Sequence, residues 1–506
     1  MVTNTIRKVD TTNLKVKDTD VLVIGVGFSG VCAGIKLLEK GISNFRIYNK
    51  SSGIGGTWWD NTYPGAVCDV PSHLYCYSFE PNPNWSRIYP AQGEIKTYIE
   101  HCVTKYGLTP HIRHGEKIVK LMFDEFAGLW NVIFENGNIV KARHVINGSG
   151  GLHVPSLPDL PGRETFEGTR MHTARWDHSV NMQGKRIAVI GTAASAIQVV
   201  PEMAKIGKDI FLFQRTPNYV APRKDREFTV VEKFIFSKFP FLAKLYRWFI
   251  FMRMELLLFP VTKMNSPRGN KIGNLIKQYM RATVNDKNIH ASLEPNYKLG
   301  CKRILISDDY YETLNRENVS LVTDEIQEIK PNGILTITGQ LIEVDVIIYA
   351  TGFDIEKHLK SVEVIGLNKK SLLETWAVNQ EAYQGACIAG FPNFYLVTGP
   401  NTGVATTSVV FMIEQQVHFI MQLIKRAGRE KLISVKQKAQ DRYNDMIHSA
   451  LKDTVWTSGC KSWYIREDGR NTTLYPYNGR TFRKQSKKVN FNDFNVVHNN
   501  DKQVTK

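Results

Sequence analysis

The 506-residue sequence predicts an α/β fold in which two parallel-sheet units share one plan. Two observations predict it. A strand, a glycine-rich turn, a helix and a second strand follow one another over residues 21–49, and the same succession returns over residues 185–216. A third observation bounds the architecture. With 42% hydrophobic and 22% charged residues the composition is globular, and the length exceeds one ordinary core, so two or three lobes are expected.

In the first unit, Val21-Leu22-Val23-Ile24 reads as a short buried strand. Gly25-Val26-Gly27-Phe28-Ser29-Gly30 follows it, then a helical run to about Lys40-Gly41, then the strand Phe45–Asn49. This is the spacing of a dinucleotide-binding fold. Gly25 permits the tight turn, Gly27 lets the backbone approach a pyrophosphate, and Gly30 lets helix and strand pack closely. Asn49 stands where an acidic residue usually grips a ribose. It can accept a hydrogen bond with less strength than a carboxylate, so binding is expected to survive, weakened.

In the second unit the strand is Arg186–Ile190 and the turn Gly191-Thr192-Ala193-Ala194-Ser195-Ala196. A helix runs to about Ile206-Gly207, and the strand Asp209–Phe213 leads into Gln214-Arg215-Thr216. Alanine holds the second and third glycine positions, and Ala193 sets a methyl where a pyrophosphate would approach. Arg215 replaces the acid that would bind a 2′-hydroxyl. A cation there suits the 2′-phosphate of NADP and offers NAD nothing to pair with. Two such units about 165 residues apart, with no C-x-x-C pair, point to an enzyme passing a hydride from a nicotinamide to a flavin.

Composition narrows the classes further. The seven cysteines, Cys32, Cys68, Cys76, Cys102, Cys301, Cys387 and Cys460, are scattered. That argues against a zinc ribbon or a redox dithiol and suits a reducing compartment, so a cytoplasmic protein is expected. Met1 to Asp20 is polar without an apolar core, so no secretory signal is expected, and no run is long and apolar enough to span a bilayer. The net charge of +17 is concentrated. Residues 223–303 hold 17 basic against 6 acidic residues, and residues 480–506 hold 7 against 2. The remainder is nearly neutral, unlike a nucleic-acid binder. Asp308-Asp309 reads as a helix N-terminus before Tyr310-Tyr311 rather than a metal pair, and no metal is expected.

Between the units lies Phe166-Glu167-Gly168-Thr169-Arg170-Met171-His172-Thr173-Ala174-Arg175-Trp176-Asp177. It resembles the fingerprint F-x-G-x-x-x-H-x-x-x-W-(P/D) of Baeyer–Villiger monooxygenases at every fixed position: Phe166, Gly168, His172, Trp176 and Asp177. The resemblance runs from about residue 20 to 480. Gly55-Gly56-Thr57-Trp58 and Tyr63–Asp69 look like the family's flavin-contacting loop, and Asp69 and Tyr75 match positions beside the isoalloxazine. Cys301-Lys302-Arg303 matches the segment whose arginine is catalytic and whose lysine helps hold the 2′-phosphate. Ala350–Asp354 is similar to the link back into the FAD domain, and Trp463 matches a tryptophan that helps hold the nicotinamide cofactor.

The resemblance implies two Rossmann-like domains, with the NADP domain inserted into a discontinuous FAD domain. The FAD domain would comprise residues 1–154 and 354–480, the NADP domain residues 155–353 with a helical insertion at about 223–300, and residues 481–506 a polar basic tail. It implies FAD, NADPH and O2 as reactants and a C4a-peroxyflavin that attacks a ketone to give an ester or lactone. Arg303 would stabilise the anion and Asp69 would position Arg303. Two rival readings stand beside it. One is an N- or S-oxygenating flavin-containing monooxygenase, against which Arg303 and Trp176-Asp177 argue. The other is a non-catalytic dinucleotide-binding sensor, which Asn49 and Ala193 favour. The apolar, basic segment 234–259 reads either as a helical pair capping the substrate cavity or as a helix on an anionic membrane surface. In the second case Lys238, Lys244 and Arg247 are the expected lipid-facing charges, with the Trp248 ring in the core.

Overall fold

The computed structural model describes residues 19–354, 361–404, 406–460, 462–466 and 468–498. Most of the polar N-terminal stretch and the last residues of the basic tail lie outside them.

The first unit forms as its pattern requires. The strand Thr19–Ile24 (β1), the helix Phe28–Glu39 (α1) and the strand Phe45–Asn49 (β2) build a parallel pair in which Val21 faces Phe45 and Ile24 faces Tyr48. The short helix Thr57–Asp60 (α2) and the helix Gln92–Lys105 (α3) precede four further strands, Ile112–His114 (β3), Ile118–Asp124 (β4), Leu129–Phe134 (β5) and Ile139–Asn147 (β6). The sheet runs β3-β2-β1-β6-β5-β4 and is completed from far along the chain. Glu363–Ile365 pairs with β4, and Phe394–Leu396 runs parallel to β6. Trp130 of β5 is fully buried, and its indole donates to the carbonyl of Pro392 at 2.9 Å, fastening the returning segment. The helix Val409–Ala427 covers α1, buried along most of its length.

The second sheet lies between these two contributions. The strands Thr169–His172 (β7), Arg186–Ile190 (β8) and Asp209–Phe213 (β9) join Val319–Val322 and Val346–Tyr349 in an all-parallel sheet. Continuous apolar runs such as Ile187-Ala188-Val189-Ile190 suit strands covered on both faces. The helix Ala196–Ile206 (α4) links β8 to β9. Beyond β9 come the helices Val230–Lys238 (α5), Pro240–Leu258 (α6) and Pro267–Thr283 (α7). The architecture is therefore α/β with two Rossmann-like units, one interrupting the other.

Two expectations are corrected. Residues 481–498 are not a polar tail. The helix Gly479–Ser486 packs on Val409–Ala427, and Phe494–His498 pairs antiparallel with Lys431–Val435. Phe482, Val489 and Phe494, spaced among basic residues, supply buried anchors that average polarity hides. Nor are all cysteines free. Cys301 and Cys460 form a disulfide with their Cα atoms 6.3 Å apart, and this removes the argument from scattered cysteines to a reducing compartment. The other five are buried thiols.

Candidate active site

The first turn is closed by backbone against backbone. A Cβ on Gly30 would stand 1.8 Å from the Gly25 carbonyl oxygen, so no other residue fits there. Across the turn, Gly27 faces Gly56, where a Cβ would meet the Gly27 Cα at 3.0 Å. Helix α1 starts at this close backbone contact. Its N-cap Gly27 has no side-chain cap and no acid occupies its first turn, so its N–H groups are available to an anion. Asn49 ends β2 and turns its amide onto the following loop, donating to the carbonyls of Ser51 (3.0 Å) and Gly53 (2.7 Å). A carboxylate could make neither bond. The amide oxygen remains the acceptor available to a ribose.

The loop after Gly56 brings the other first-half residues together. Thr57 and Trp58 open α2, and the Trp58 indole donates to the Tyr75 hydroxyl at 3.1 Å. Phe28 meets the Tyr75 ring edge-on. Burial drives the Tyr75 phenol far above its ordinary range, so it stays protonated.

Arg303, 234 residues further on, reaches back to this loop. Its Nε donates to Asp69 Oδ2 and its Nη2 to Oδ1, both at 2.7 Å, a bidentate fork. Burial would raise the Asp69 carboxyl, but the Arg303 guanidinium overrides it and holds the group below the usual carboxylate range. The Asp69 charge raises Arg303 in turn. The Arg303 side chain is still 41% exposed, so it is a fixed cation that solvent can reach. Tyr464 is buried against it, pushed up to about 12 by its own burial and opposed by the guanidinium. Trp463, next in chain, is half exposed and stacks obliquely on Tyr464. The Cys301–Cys460 disulfide ties the two segments together beside this cluster.

The second turn is looser. Helix α4 begins at Ala196, whose methyl is buried, and Ser195 stands at its N-cap without a side-chain bond. Ala193 is exposed in the turn between Gly191 and the helix. The Thr192 hydroxyl donates to the Thr216 carbonyl at 3.0 Å, pinning the turn to the end of β9. Arg215 is exposed beside Lys302. Desolvation and then the Arg215 charge hold the Lys302 ammonium below its ordinary pKa. Two cations crowded without a carboxylate between them are suited to a shared anion.

The fingerprint is largely structural. Phe166 is buried under the small antiparallel sheet 326–343, and Gly168 lies so close to the Asp345 carbonyl that a Cβ would stand at 2.5 Å. His172 ends β7, accepts from the Ala174 N–H at 3.0 Å, and is lowered to about 4 by burial, so it is a neutral imidazole. Trp176 packs on the second core, and Asp177 accepts from the Ser179 N–H and hydroxyl. Asp309 stands at the N-cap of Tyr310–Thr313, where the Ser307 hydroxyl accepts from the Tyr310 N–H. Among the described residues no group of three His, Cys, Asp or Glu could hold a metal.

Sequence reasoning missed Gln198 and Tyr464. Gln198, on α4, accepts from the Tyr63 hydroxyl at 2.7 Å and donates to the Val67 carbonyl at 2.9 Å, joining the second unit to the loop that carries Asp69. Nothing in helical periodicity marks it. Tyr464 lay within the recognised Trp463 segment, but adjacency alone does not reveal that it packs on Arg303.

The family model for flavin-binding monooxygenase-like proteins matches residues 18–374. A Baeyer–Villiger monooxygenase of Pseudomonas aeruginosa is 40% identical over 468 residues, covering 92% of this chain and 88% of its own. Among solved structures, the OTEMO complex with FAD and NADP superposes with a TM-score of 0.86 at 25% identity, over 96% of this chain and 100% of the other. The ε-caprolactone-bound cyclohexanone monooxygenase superposes with a TM-score of 0.84 at 27% identity, over 95% and 100%.

Proposed function

Since this chain belongs to the flavin-binding monooxygenase-like family and is an FAD- and NADPH-dependent monooxygenase of the Baeyer–Villiger type, we propose that it inserts one oxygen atom of O2 into a ketone to give an ester or lactone. The observation that carries the reaction is the bidentate Arg303–Asp69 pair between the flavin loop and the inserted unit.

The residues present fit both cofactors. The bare backbone at Gly27 and Gly56, with the uncapped start of α1 and the Asn49 amide oxygen, suits the pyrophosphate and ribose of FAD. Gly25, Gly30, Thr57, Trp58, Asp69 and Tyr75 complete its surroundings. The turn Gly191, Thr192, Ala193, Ser195 and Ala196 suits NADPH, with Arg215, Thr216 and Lys302 at the 2′-phosphate and Trp463 toward the nicotinamide. Residues up to 154 and from 354 to 480, with the packed segment 481–498, form the FAD domain on this reading, and residues 155–353 the NADP domain. Bound FAD, reduced by NADPH, activates O2, chemistry that no side chain here supplies.

The protein's own part is electrostatic. Arg303 keeps its proton at any working pH, so it stabilises negative charge developing on the ketone oxygen without acting as an acid. Asp69 fixes the plane of the guanidinium by accepting two of its N–H groups and leaves the others for the reacting oxygen. Tyr75 and Tyr464 are both buried and stay protonated.

Replacing Arg303 with Ala tests the reading. NADPH should still bleach the flavin anaerobically, and oxygen should still be consumed. Ester formation should fall by about a hundred- to a thousandfold, the usual loss for one such stabiliser. Arg303→Lys keeps the charge without the fork and should rescue little. Ester made by Arg303→Ala at the unmodified rate removes Arg303 from the mechanism.

A further inference from the structure

Helix α6 is built inside out. Its inward residues are Ala243, Arg247, Ile250 and Glu255, two of them charged. Outward point Phe241, Leu245, Trp248, Phe249, Leu256 and Leu257, with Phe241 64%, Trp248 58% and Leu256 60% exposed. Helix α5 continues the surface with Val230, Val231 and Phe234, and Phe239 joins the two. Water-exposed apolar side chains on successive turns of adjoining helices exceed the scattered singles of an ordinary surface.

The inward charges are held by backbone groups of other segments. Arg247 Nη1 donates to the carbonyls of His73 (2.9 Å), Leu74 (3.0 Å) and Cys76 (2.9 Å), and its Nη2 lies 3.7 Å from Glu414. Glu255 accepts from the backbone N–H of Gly479 at 3.0 Å. These contacts clamp α6 to the segment just beyond Asp69 and to the start of the C-terminal helix. Arg247 is therefore not the lipid-facing cation that the sequence suggests, and the Trp248 ring is not in the core. Part of the apolar surface of the pair packs on the first core through Phe236, Tyr246, Ile250, Phe251 and Met254, and the outward part stays exposed.

We propose that the α5–α6 face docks on an anionic lipid surface. Lys238, Lys244 and Arg253 are exposed along it. The two acids of residues 230–258 are withdrawn: Glu232 pairs with Arg226 at 2.6 Å, and Glu255 is buried. Apolar rings and leucines would enter the acyl boundary while three cations meet the headgroup phosphates. No helix among the described residues is long and apolar enough to cross a membrane, so the contact is peripheral. A second copy fits less well, because a two-fold contact would bring like charges together with no acid to meet them. The clamp through Arg247 places the Asp69 loop directly behind the docked face.

The test uses the full-length, FAD-loaded protein with vesicles of phosphatidylcholine alone or mixed 3:1 with phosphatidylglycerol. Co-sedimentation with the mixed vesicles at low salt, and release as salt rises, are expected. The triple reversal Lys238→Glu, Lys244→Glu and Arg253→Glu should weaken binding by roughly a hundredfold or more, at about fivefold for each charge removed. Trp248→Ser with Phe241→Ser should keep the low-salt attraction and release at a lower salt concentration than the unmodified protein. FAD content and NADPH oxidation with a water-soluble ketone should be unchanged in both variants, which separates this contact from the reaction. Unmodified protein that stays in the supernatant at low salt overturns the proposal. So does binding that the charge reversals leave intact, or a dimer in solution that Trp248→Ser dissolves.

Discussion

The two nucleotide-binding units share one plan and fix their ligand ends by different means. In the first, α1 starts three residues after Gly25, and the turn closes so tightly that Gly30 has no room for a methyl. In the second, α4 starts five residues after Gly191, and the Ala196 methyl is absorbed in the core. The far ends are reversed. Asn49 is engaged by its own loop, whereas Arg215 stands exposed beside Lys302. The first unit is defined by backbone contact and the second by charge.

The largest expected effect breaks the first unit alone. Gly30→Ala must push apart helix and strand, and the purified protein should lack FAD, read as flavin absorbance per chain. Ala196→Gly, the mirror change, should cost about 1 kcal/mol and leave the protein yellow. Equal flavin content in both variants would end the contrast.

Acid should strain both units alike. His144 on β6 and His172 on β7 are each held down to about 4 by burial, against an unfolded value of about 6.5. The unfolded chain binds protons first, so the stability of keeping these rings neutral is full above about pH 6.5 and is lost as pH falls toward 4. Each ring contributes about 3 kcal/mol once the loss is complete. Urea unfolding at pH 7.5 and 5 measures it, and His144→Gln or His172→Gln should flatten the acid limb. A limb unaltered by either change would show that these rings are not its source.

A smaller effect sharpens the second unit. Arg215→Ala should weaken NADPH binding by about ten- to a hundredfold, from the loss of one charge-assisted contact of about 1.5–3 kcal/mol, and leave NADH alone. Titration of flavin reduction with each nucleotide decides it. The smallest effect concerns Asn49. Asn49→Asp restores the usual acid yet deletes two donors to loop carbonyls, each contributing about 1 kcal/mol. Thermal stability should fall by a few degrees, and flavin affinity should rise little. A tenfold gain in affinity at unchanged stability would refute the loop-cap account.

Strands written as apolar runs beside glycine turns were legible, and β2, β8 and β9 begin and end where the pattern places them. The pairing of Arg303 with Asp69 came from resemblance, since no periodicity connects residues 234 positions apart. Gln198 was illegible because its role depends on how one unit sits against the other. The basic C-terminal stretch misled for a related reason. Its three anchors fall on surfaces made by other segments, and local polarity carries no record of them.

The Cys301–Cys460 bond closes a ring across 159 positions, from the threshold of Arg303 to the segment of Trp463 and Tyr464. Rings of that size typically add about 2–5 kcal/mol by limiting the unfolded chain. Cell extracts rich in thiol would yield an open-chain form, and air-exposed preparations a ringed one. The same gene would then give two stocks that differ in shelf life and heat tolerance while sharing one mass to within two hydrogens.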